Sequence, residues 1–268
     1  MLPNDIPTQL PIAKIIDENP NVKTFYFDYP LKSKPGQFIM LWLPGIDQKP
    51  FSVSSDDDIT FGLTIFKRGP TTEKLFGMRV GDRVGISGPY GSHFSIKPNT
   101  HYIMVAGGYG AAPLSFLAGE IGKAGSTADF CLGGRSKDFL LFLGRLARMR
   151  HVKLHITTDD GSCGDKCLVT DLIPNLIKSG SIPPLVVTCG PELMEKKVLD
   201  ICNELNVECE LSIERYVKCG IDICGQCTVD PLGICMCQEG PVVSREVANK
   251  IEGFGKYHRD KSEQKVYF

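Results

Sequence analysis

Four cysteines near the C-terminus have a spacing that chemistry can use. Cys219, Cys224 and Cys227 read C-x4-C-x2-C, and Cys237 follows ten residues later. That is the ligand spacing of a plant-type 2Fe–2S cluster. A short loop must wrap a small cluster and aim several thiolates inward. Gly220 and Gly225 can take backbone angles closed to other residues and let the chain pass close to the sulfides. The loop's N–H groups can then hydrogen-bond the cluster's sulfurs. Zinc is the main rival, but zinc sites join Cys-x2-4-Cys to a second such pair or to His. No second pair follows here at the usual separation. Unliganded thiols explain the crowding less well, since six of the eleven cysteines fall between Cys209 and Cys237.

A second kind of chemistry is written in glycines. Gly107-Gly108-Tyr109-Gly110-Ala111-Ala112-Pro113 follows an apolar strand and opens a helix. Such a turn lets backbone approach a dinucleotide and points a helix N-terminus at its pyrophosphate. It is not G-x-G-x-x-G; its place at the first strand of an alternating unit is what strengthens it. Cys189-Gly190-Pro191 ends a later strand, at the edge where open α/β sheets bind ligands. Cys189 is either a buried thiol or a neighbour of a nicotinamide ring. Thr158-Asp159-Asp160-Gly161-Ser162 is a turn by composition, or a loop at that same edge. Cys163 and Cys167, C-x3-C just beyond it, could form a local disulfide, bind a metal or be two unrelated thiols, and the last is favoured. Gly69-Pro70-Thr71-Thr72 precedes a short helix; read alone it is a plain N-cap, although its N–H and hydroxyl groups also suit a phosphate. Lys49-Pro50-Phe51-Ser52 sits at the start of an expected strand and, read alone, is an unremarkable turn. His93, His101, His151, His155 and His258 are scattered without ligand spacing and read as structural.

The elements that carry these motifs fall into three stretches. Residues 1–97 show short strand signals (Val22–Tyr29, Gly36–Leu43, Ile59–Phe66, Asp82–Ser87) punctuated by Pro-Gly and Gly-Pro pairs, which predicts a small antiparallel β-barrel. Residues 98–210 alternate. Strands are expected at His101–Ala106, Ala128–Leu132, Val152–Thr157 and Leu185–Thr188. Helices are expected up to about Lys123, over Asp138–Arg148, Thr170–Lys178 and Glu192–Leu205. That is a parallel sheet flanked by helices. Residues 211–268 form a small cluster-bearing segment and a charged tail. The fold class is therefore multi-domain: β-barrel, α/β domain, small iron–sulfur domain.

Composition narrows the setting. With 268 residues, 42% hydrophobic and 23% charged, the chain has ordinary globular content. A net charge of −1 gives no broad pull toward nucleic acid or an anionic membrane. No apolar run is long enough to span a bilayer. Met1–Gln9 lacks the order of a signal peptide. An odd number of cysteines beside a cluster motif suggests a reducing, cytoplasmic location.

Together these pieces resemble the ferredoxin–NAD(P) reductase superfamily, in which a flavin-binding barrel precedes a nicotinamide-binding α/β domain. The resemblance implies FAD contacts at Lys49, Pro50, Phe51 and Ser52, with Lys where the family usually has Arg. It implies further flavin contacts at Thr64, Ile65, Phe66, Thr71 and Thr72. Gly88-Pro89-Tyr90-Gly91 matches the family's Gly-Pro-x-Gly. Nicotinamide contacts are implied at Gly107, Gly108, Gly110, Pro113, Cys189, Gly190 and Pro191.

With the C-terminal cysteines, nearly the whole chain is similar to the electron-transfer subunits of type B dihydroorotate dehydrogenases. Thr158–Ser162, Leu168–Leu172 and Glu214–Gly220 carry that narrower likeness. Its Cys-x-(Asp/Glu)-Gly-Pro-Val pattern falls on Cys237–Val242, which implies Cys237 rather than Cys235 as the fourth ligand. Cys163, Cys167 and Cys235 are extra cysteines by this comparison. The likeness implies an NAD(P)-linked flavin/iron–sulfur oxidoreductase subunit with FAD, a 2Fe–2S cluster and NAD, NADP being possible. It also implies a catalytic partner subunit, two copies of each, with Ile221, Ile223 and Pro231-Leu232-Gly233 near the partner, and no dihydroorotate oxidation by this chain alone. The nearest rival is the small subunit of an NADPH–ferredoxin oxidoreductase partnered with a glutamate-synthase-like flavoprotein; Arg135 would then be a candidate to hold a 2′-phosphate, and it reads equally as a surface arginine. A non-catalytic cluster-bearing redox sensor is a third reading, against which the intact Gly107–Pro113 turn argues.

Overall fold

Alternating apolar residues between turns build seven strands in the first part of the chain. They are β1 (Asn4–Pro11), β2 (Lys14–Asn19), β3 (Val22–Asp28), β4 (Phe38–Leu43), β5 (Asp47–Asp56), β6 (Thr60–Phe66) and β7 (Arg83–Tyr90), with helix α1 (Pro70–Phe76) between the last two. The computed structural model describes residues 4–180 and 182–268, so Met1–Pro3 of the Met1–Gln9 segment lies outside the described residues. The strands form one antiparallel sheet in the order β1-β7-β4-β5-β6-β3-β2. Its ends, β1 and β2, are not paired with each other. The expected barrel is therefore an open, curled sheet. The curl wraps a core of Phe25, Phe27, Ile39, Leu41, Val53, Phe61 and Leu63, in which Phe27 and Phe61 stack with centroids 5.1 Å apart. Sequence reading missed β1 and β2. β1 carries Pro7 and Pro11, and β2 is polar; both features suit edge strands and hide them from a propensity reading.

The second part alternates strand and helix as expected. It contains β8 (His101–Gly107), α2 (Ala111–Lys123), β9 (Thr127–Gly134), α3 (Leu143–Leu146), β10 (Val152–Thr158), α4 (Ile173–Ser179), β11 (Leu185–Cys189), α5 (Glu192–Glu204) and β12 (Cys209–Ser212). α2 packs on one face through Tyr102, Met104 and Ala106; α4 and α5 cover the other through Ile103, Val105 and Val186. The helix expected over Asp138–Arg148 is not there. A 3-10 turn at Lys137–Phe139 gives way to the four-residue α3. Phe142 between them has φ +61, which no α-helix tolerates. Docking overrides propensity here: Asn19 on β2 donates to the Asp138 carbonyl at 3.0 Å, and Arg145 lies beside Tyr26 and Glu18 of the first sheet.

The C-terminal part adds a strand to the second sheet and is bonded to the chain just after the first. It holds β13 (Thr228–Val229), β14 (Ile234–Cys235), β15 (Val242–Ser244), helix α6 (Arg245–Lys250), β16 (Tyr257–Arg259) and β17 (Lys265–Tyr267). β13–β14 and β16–β17 are hairpins. β15 joins the second sheet antiparallel to β12, giving the order β10-β9-β8-β11-β12-β15. Ser92, just after the first sheet, stitches this strand down. Its N–H donates to the Gly240 carbonyl at 2.6 Å. Its hydroxyl donates to the Val242 carbonyl at 2.6 Å and accepts from the Val242 N–H at 3.0 Å. Ser95 adds two bonds to the Glu210 carboxylate of β12, at 2.9 and 2.5 Å. Ser92→Ala removes a donor and an acceptor from one buried strand and is expected to cost about 1–3 kcal/mol. Thermal unfolding checks this; an unchanged midpoint would mean that the stitch contributes nothing.

Candidate functional site

The flavin motifs expected from the sequence sit on two sides of a splay in the first sheet. β5 pairs with β4 over Asp47–Ser52 and with β6 only from Val53 onward. β6 continues through Thr64–Phe66 paired only to β3. So Lys49-Pro50-Phe51-Ser52 and Thr64-Ile65-Phe66 face one another without a ladder between them. Pro50 has no N–H to give such a ladder. All four residues Lys49–Ser52 are half-buried, where a strand lining a filled core would alternate. Thr64 anchors the base of the gap: its hydroxyl donates to Ser54 Oγ at 2.9 Å and meets Thr24 Oγ1 at 2.9 Å. The chain then enters α1. Thr71 is buried. The Thr72 hydroxyl accepts from the N–H groups of Arg68 and Gly69 at 2.8 and 3.0 Å and donates to the Gly69 carbonyl. The plain capping role weighed for this turn is thus filled by Thr72 itself. Lys49 Nζ pairs with Asp47 at 2.9 Å and lies 5.3 Å from the centre of the Tyr216 ring. Burial works to lower the Lys49 pKa, but Asp47 and Tyr216 outweigh it and the net shift is upward.

The nicotinamide motifs meet at the switch point of the second sheet. β8 lies between β9 and β11, so the chain turns opposite ways on leaving β8 and returning to β11. The Gly107–Gly110 turn ends β8, and Cys189-Gly190-Pro191 ends β11. They are pressed back to back. A Cβ on Gly110 would lie 1.9 Å from the Cys189 carbonyl oxygen, and one on Gly190 would lie 3.0 Å from Gly107 Cα. Pro113 is buried in the first turn of α2. Gly108 alone of the turn's glycines needs a left-handed angle, φ +53. Gly110 has φ −59, which alanine also adopts, so space and not torsion demands glycine. Across the gap between sheets, Phe66 stacks on Tyr109 with centroids 4.3 Å apart. Sequence reading singled out Phe66 and that turn separately; their contact is visible only in three dimensions.

Beneath the second turn is a group the sequence did not flag. Glu195 in α5 is fully buried. Its Oε1 accepts the Gly190 N–H at 3.2 Å, while Oε2 has no partner. Burial raises its pKa well above the usual carboxyl range, with Glu192 and Glu214 adding to the effect. The half-buried Cys189 thiol is likewise pushed up by burial and by Glu195.

The cysteines of the third site meet as two pairs. Cys219 lies beside Cys224. Cys227 contacts Cys237, whose N–H also donates to Cys227 Sγ at 3.3 Å. Among the described residues no three Cys, His, Asp or Glu side chains close into a cage for a single ion. Burial alone would raise the Cys219 pKa, but the N–H groups of Ile221, Cys224 and Ile223 converge on its sulfur and bring it down to about 7. Gly220 (φ +79) and Gly225 (φ +68) both use the left-handed angles their positions implied. The loop leans on the first sheet, where a Cβ at Gly220 would meet Met40 at 3.0 Å. Ile223 is 79% exposed beside the exposed Cys224. Cys163 and Cys167 are free thiols.

One strap ties the three places together. Arg215 makes a two-pronged bond to Glu192, at 2.6 and 3.2 Å, directly after Pro191. Tyr216 lies against Lys49, and Cys219 enters the thiol nest. The histidines were read as structural. His101 and His155 do share one carboxylate, with Nε2 atoms 2.9 and 2.6 Å from the two oxygens of Asp129. They come from three different strands, which spacing could not reveal.

No protein-family model matches the chain. The "probable dihydroorotate dehydrogenase B (NAD(+)), electron transfer subunit" of Methanocaldococcus jannaschii is 44% identical over 257 residues, 96% of this chain and 97% of the relative. The like-named protein of Methanothermobacter thermautotrophicus is 38% identical over 266 residues, 98% of each chain. Among solved structures, a chain of an NADH-dependent reduced ferredoxin–NADP oxidoreductase has a TM-score of 0.79 at 27% identity, over 88% of both chains. A ferredoxin–NADP+ reductase from Plasmodium falciparum, at 18% identity and TM-score 0.62, covers 74% of this chain and 89% of its own, and shares the fold.

Two expectations follow from the turns. Gly110→Ala forces the turns apart and should cost about 1–3 kcal/mol together with weakened nicotinamide binding; thermal melts and NADH titration report both, and unchanged values would refute the close-packing argument. Glu195 gives a pH signature. A carboxyl whose folded pKa is raised holds its proton more tightly folded than unfolded. Its cost to stability is absent below the unfolded value of about 4.3 and grows as pH rises above it. Glu195→Gln, uncharged at every pH, should raise the melting temperature by a few degrees at pH 8 and leave it nearly unchanged at pH 4.5. Equal shifts at both pH values would contradict a neutral Glu195.

Proposed function

We propose a function from one premise: the chain belongs to the family of dihydroorotate dehydrogenase B electron transfer subunits. In this reading it carries electrons between a dihydroorotate-oxidising catalytic partner and NAD, in pyrimidine synthesis. The observation that carries the reading is the strap Glu214–Cys219, six residues that touch the nicotinamide turn, the flavin splay and the thiol nest in succession.

A flavin exchanges hydride with nicotinamide and single electrons with a 2Fe–2S cluster, so FAD between the other two converts one redox currency into the other. The chain's residues supply position. Lys49, Pro50, Phe51 and Ser52 on one side and Thr64, Ile65 and Phe66 on the other form the walls that would hold FAD, with Thr71 and Thr72 at the start of α1. The Lys49 ammonium has three N–H donors, enough to keep Asp47 and also meet a phosphate oxygen. Gly107, Gly108, Gly110 and Pro113 present backbone and a helix N-terminus to the pyrophosphate of NAD. Cys189, Gly190 and Pro191 form the opposite lip. Cys219 and Cys224 would hold one iron, and Cys227 and Cys237 the other. Met40 and Tyr90 back the nest against the flavin sheet, which keeps the path short. Ile221, Ile223 and the Pro231-Leu232-Gly233 loop form the face offered to the catalytic partner, in an assembly of two copies of each subunit. Among the described residues no helix is long and apolar enough to cross a membrane; the setting proposed is the cytoplasm.

A second reading rests on the 27% identity to the NADH-dependent reduced ferredoxin–NADP oxidoreductase chain. There the same sites would serve NADPH–ferredoxin exchange with a glutamate-synthase-like flavoprotein. The higher identity to the dihydroorotate dehydrogenase subunits favours the first.

Anaerobically purified chain should hold FAD and about two iron atoms. NADH should bleach its flavin, and dihydroorotate alone should not. Addition of a dihydroorotate dehydrogenase catalytic subunit should make dihydroorotate reduce NAD. Full dihydroorotate oxidation by this chain alone would sink the reading. Capture of a glutamate-synthase-like partner in its place would select the second, and failure of either nicotinamide to bleach the flavin would leave a redox sensor.

A further inference from the structure

Glu195 is a buried ionisable group that the proposed electron path leaves unused. It is fully buried in the first turn of α5. Its carboxyl accepts one hydrogen bond, from the Gly190 N–H to Oε1 at 3.2 Å. Oε2 has no partner among the described residues. A buried carboxyl with a bare oxygen costs stability, and an apolar side chain would fill the same space at lower cost.

The bond falls where the sheet ends. The β11–β8 ladder stops at the Cys189–Ala106 pair, so the Gly190 N–H lies one residue beyond it. Pro191 has no N–H to give. The N–H groups of Met194 and Glu195 close on the Pro191 carbonyl at 2.8 and 3.1 Å. In a planar trans peptide the N–H and the C=O point opposite ways. With the Gly190 N–H held by Glu195, the Cys189 carbonyl is turned toward the glycine turn, where a Cβ on Gly110 would lie 1.9 Å from it. Met194, the neighbour of Glu195, packs against both turns. A Cβ on Gly190 would lie 2.7 Å from its Cε, and one on Gly107 2.6 Å from its Sδ.

Resting on the reading of these turns as the nicotinamide site, we propose that Glu195 is a positioning residue for the dinucleotide: its carboxyl fixes the Cys189–Gly190 peptide plane and so sets the spacing of the two lips that meet the ligand. Rotation of that peptide would swing the carbonyl off Gly110 and aim it at the carboxyl oxygen, so an acceptor at this place favours one orientation. The upward shift of the Glu195 pKa leaves the role intact, because a protonated carboxyl keeps an accepting oxygen.

The test uses the full chain loaded with FAD. NADH binding and flavin bleaching are followed anaerobically by stopped flow, with dithionite as a reductant that needs no lip. Glu195→Leu, which removes the acceptor, should raise the NADH Kd about tenfold and bleach with dithionite at the wild-type rate. Glu195→Gln, which keeps an accepting oxygen, should stay within about twofold of the wild-type Kd. An unchanged Kd in Glu195→Leu overturns the proposal. So does a Glu195→Gln variant as weak as Glu195→Leu, since the acceptor would then not matter. A dithionite rate that falls in step with NADH binding also overturns it, because the defect would then lie in the flavin site. If Glu195→Leu does not fold, amide exchange in the wild-type chain with NAD bound decides. Slow exchange at Gly190 supports the proposal, and exchange as fast as in an exposed loop overturns it. A wild-type chain that binds neither NADH nor NADPH would overturn the nicotinamide reading itself, and this proposal with it.

Discussion

The buried pair between Arg215 and Glu192 is the contact on which the rest of this arrangement depends. Their side chains are only 6% and 10% exposed. A pair so buried adds little net stability, because both ions must be stripped of water. It adds position. Glu192 opens α5 immediately after the turn that ends β11, and it also accepts the Gly255 N–H at 2.8 Å. Arg215 is thereby fixed to the lip of the second sheet, and the neighbours of Arg215 are fixed with it. Tyr216 is brought to Lys49 and Cys219 to the thiol nest. Breaking one partner leaves an unpaired buried charge, at a cost of about 3–5 kcal/mol. The pair thus behaves as a pin with few alternatives.

Around that pin, two sheet defects create the open places. In the first sheet β5 exchanges β4 for β6 at Ser52–Val53, and the strands splay. In the second, the strand order reverses between β8 and β11. A fully laddered sheet would satisfy its backbone groups internally and leave nothing for a ligand. The contacts between sheets, Phe66 on Tyr109 and Ser92 on β15, face the two openings toward one another.

The parts legible in the sequence were those set by local rules. Glycine turns and most of the strand–helix alternation from β8 to α5 depend on residues a few positions apart, and these were readable. The failures share a cause in long-range contact. β1 and β2 are strands because the edges of a curled sheet accept Pro7, Pro11 and polar residues. The segment from Asp138 to Arg148 has helical composition but is held otherwise by Asn19, Tyr26 and a left-handed Phe142. The curl stays open because nothing in strand patterning tells whether the first and last strands will pair. His101, Asp129 and His155 lie on three strands, and Glu195 looks like any charged residue near a helix start. Burial is what makes it different, and burial is a property of the whole fold.

Lysine at position 49 is intelligible in this setting. An arginine fork presents its donors in one plane and suits a bidentate anion. Here the cation already has an anion, Asp47, and an aromatic neighbour, Tyr216. A compact ammonium with rotatable donors can serve both and keep a donor free, whereas a planar guanidinium would have to choose an orientation. The Tyr216 contact also joins that cation to the strap. In the reading proposed above, the charge that meets the flavin's phosphates then rests against the residue three positions before the first cluster ligand. In that reading, the lysine that looks like a weakened flavin contact in sequence is the point where the flavin wall and the strap to the cysteines share one charge.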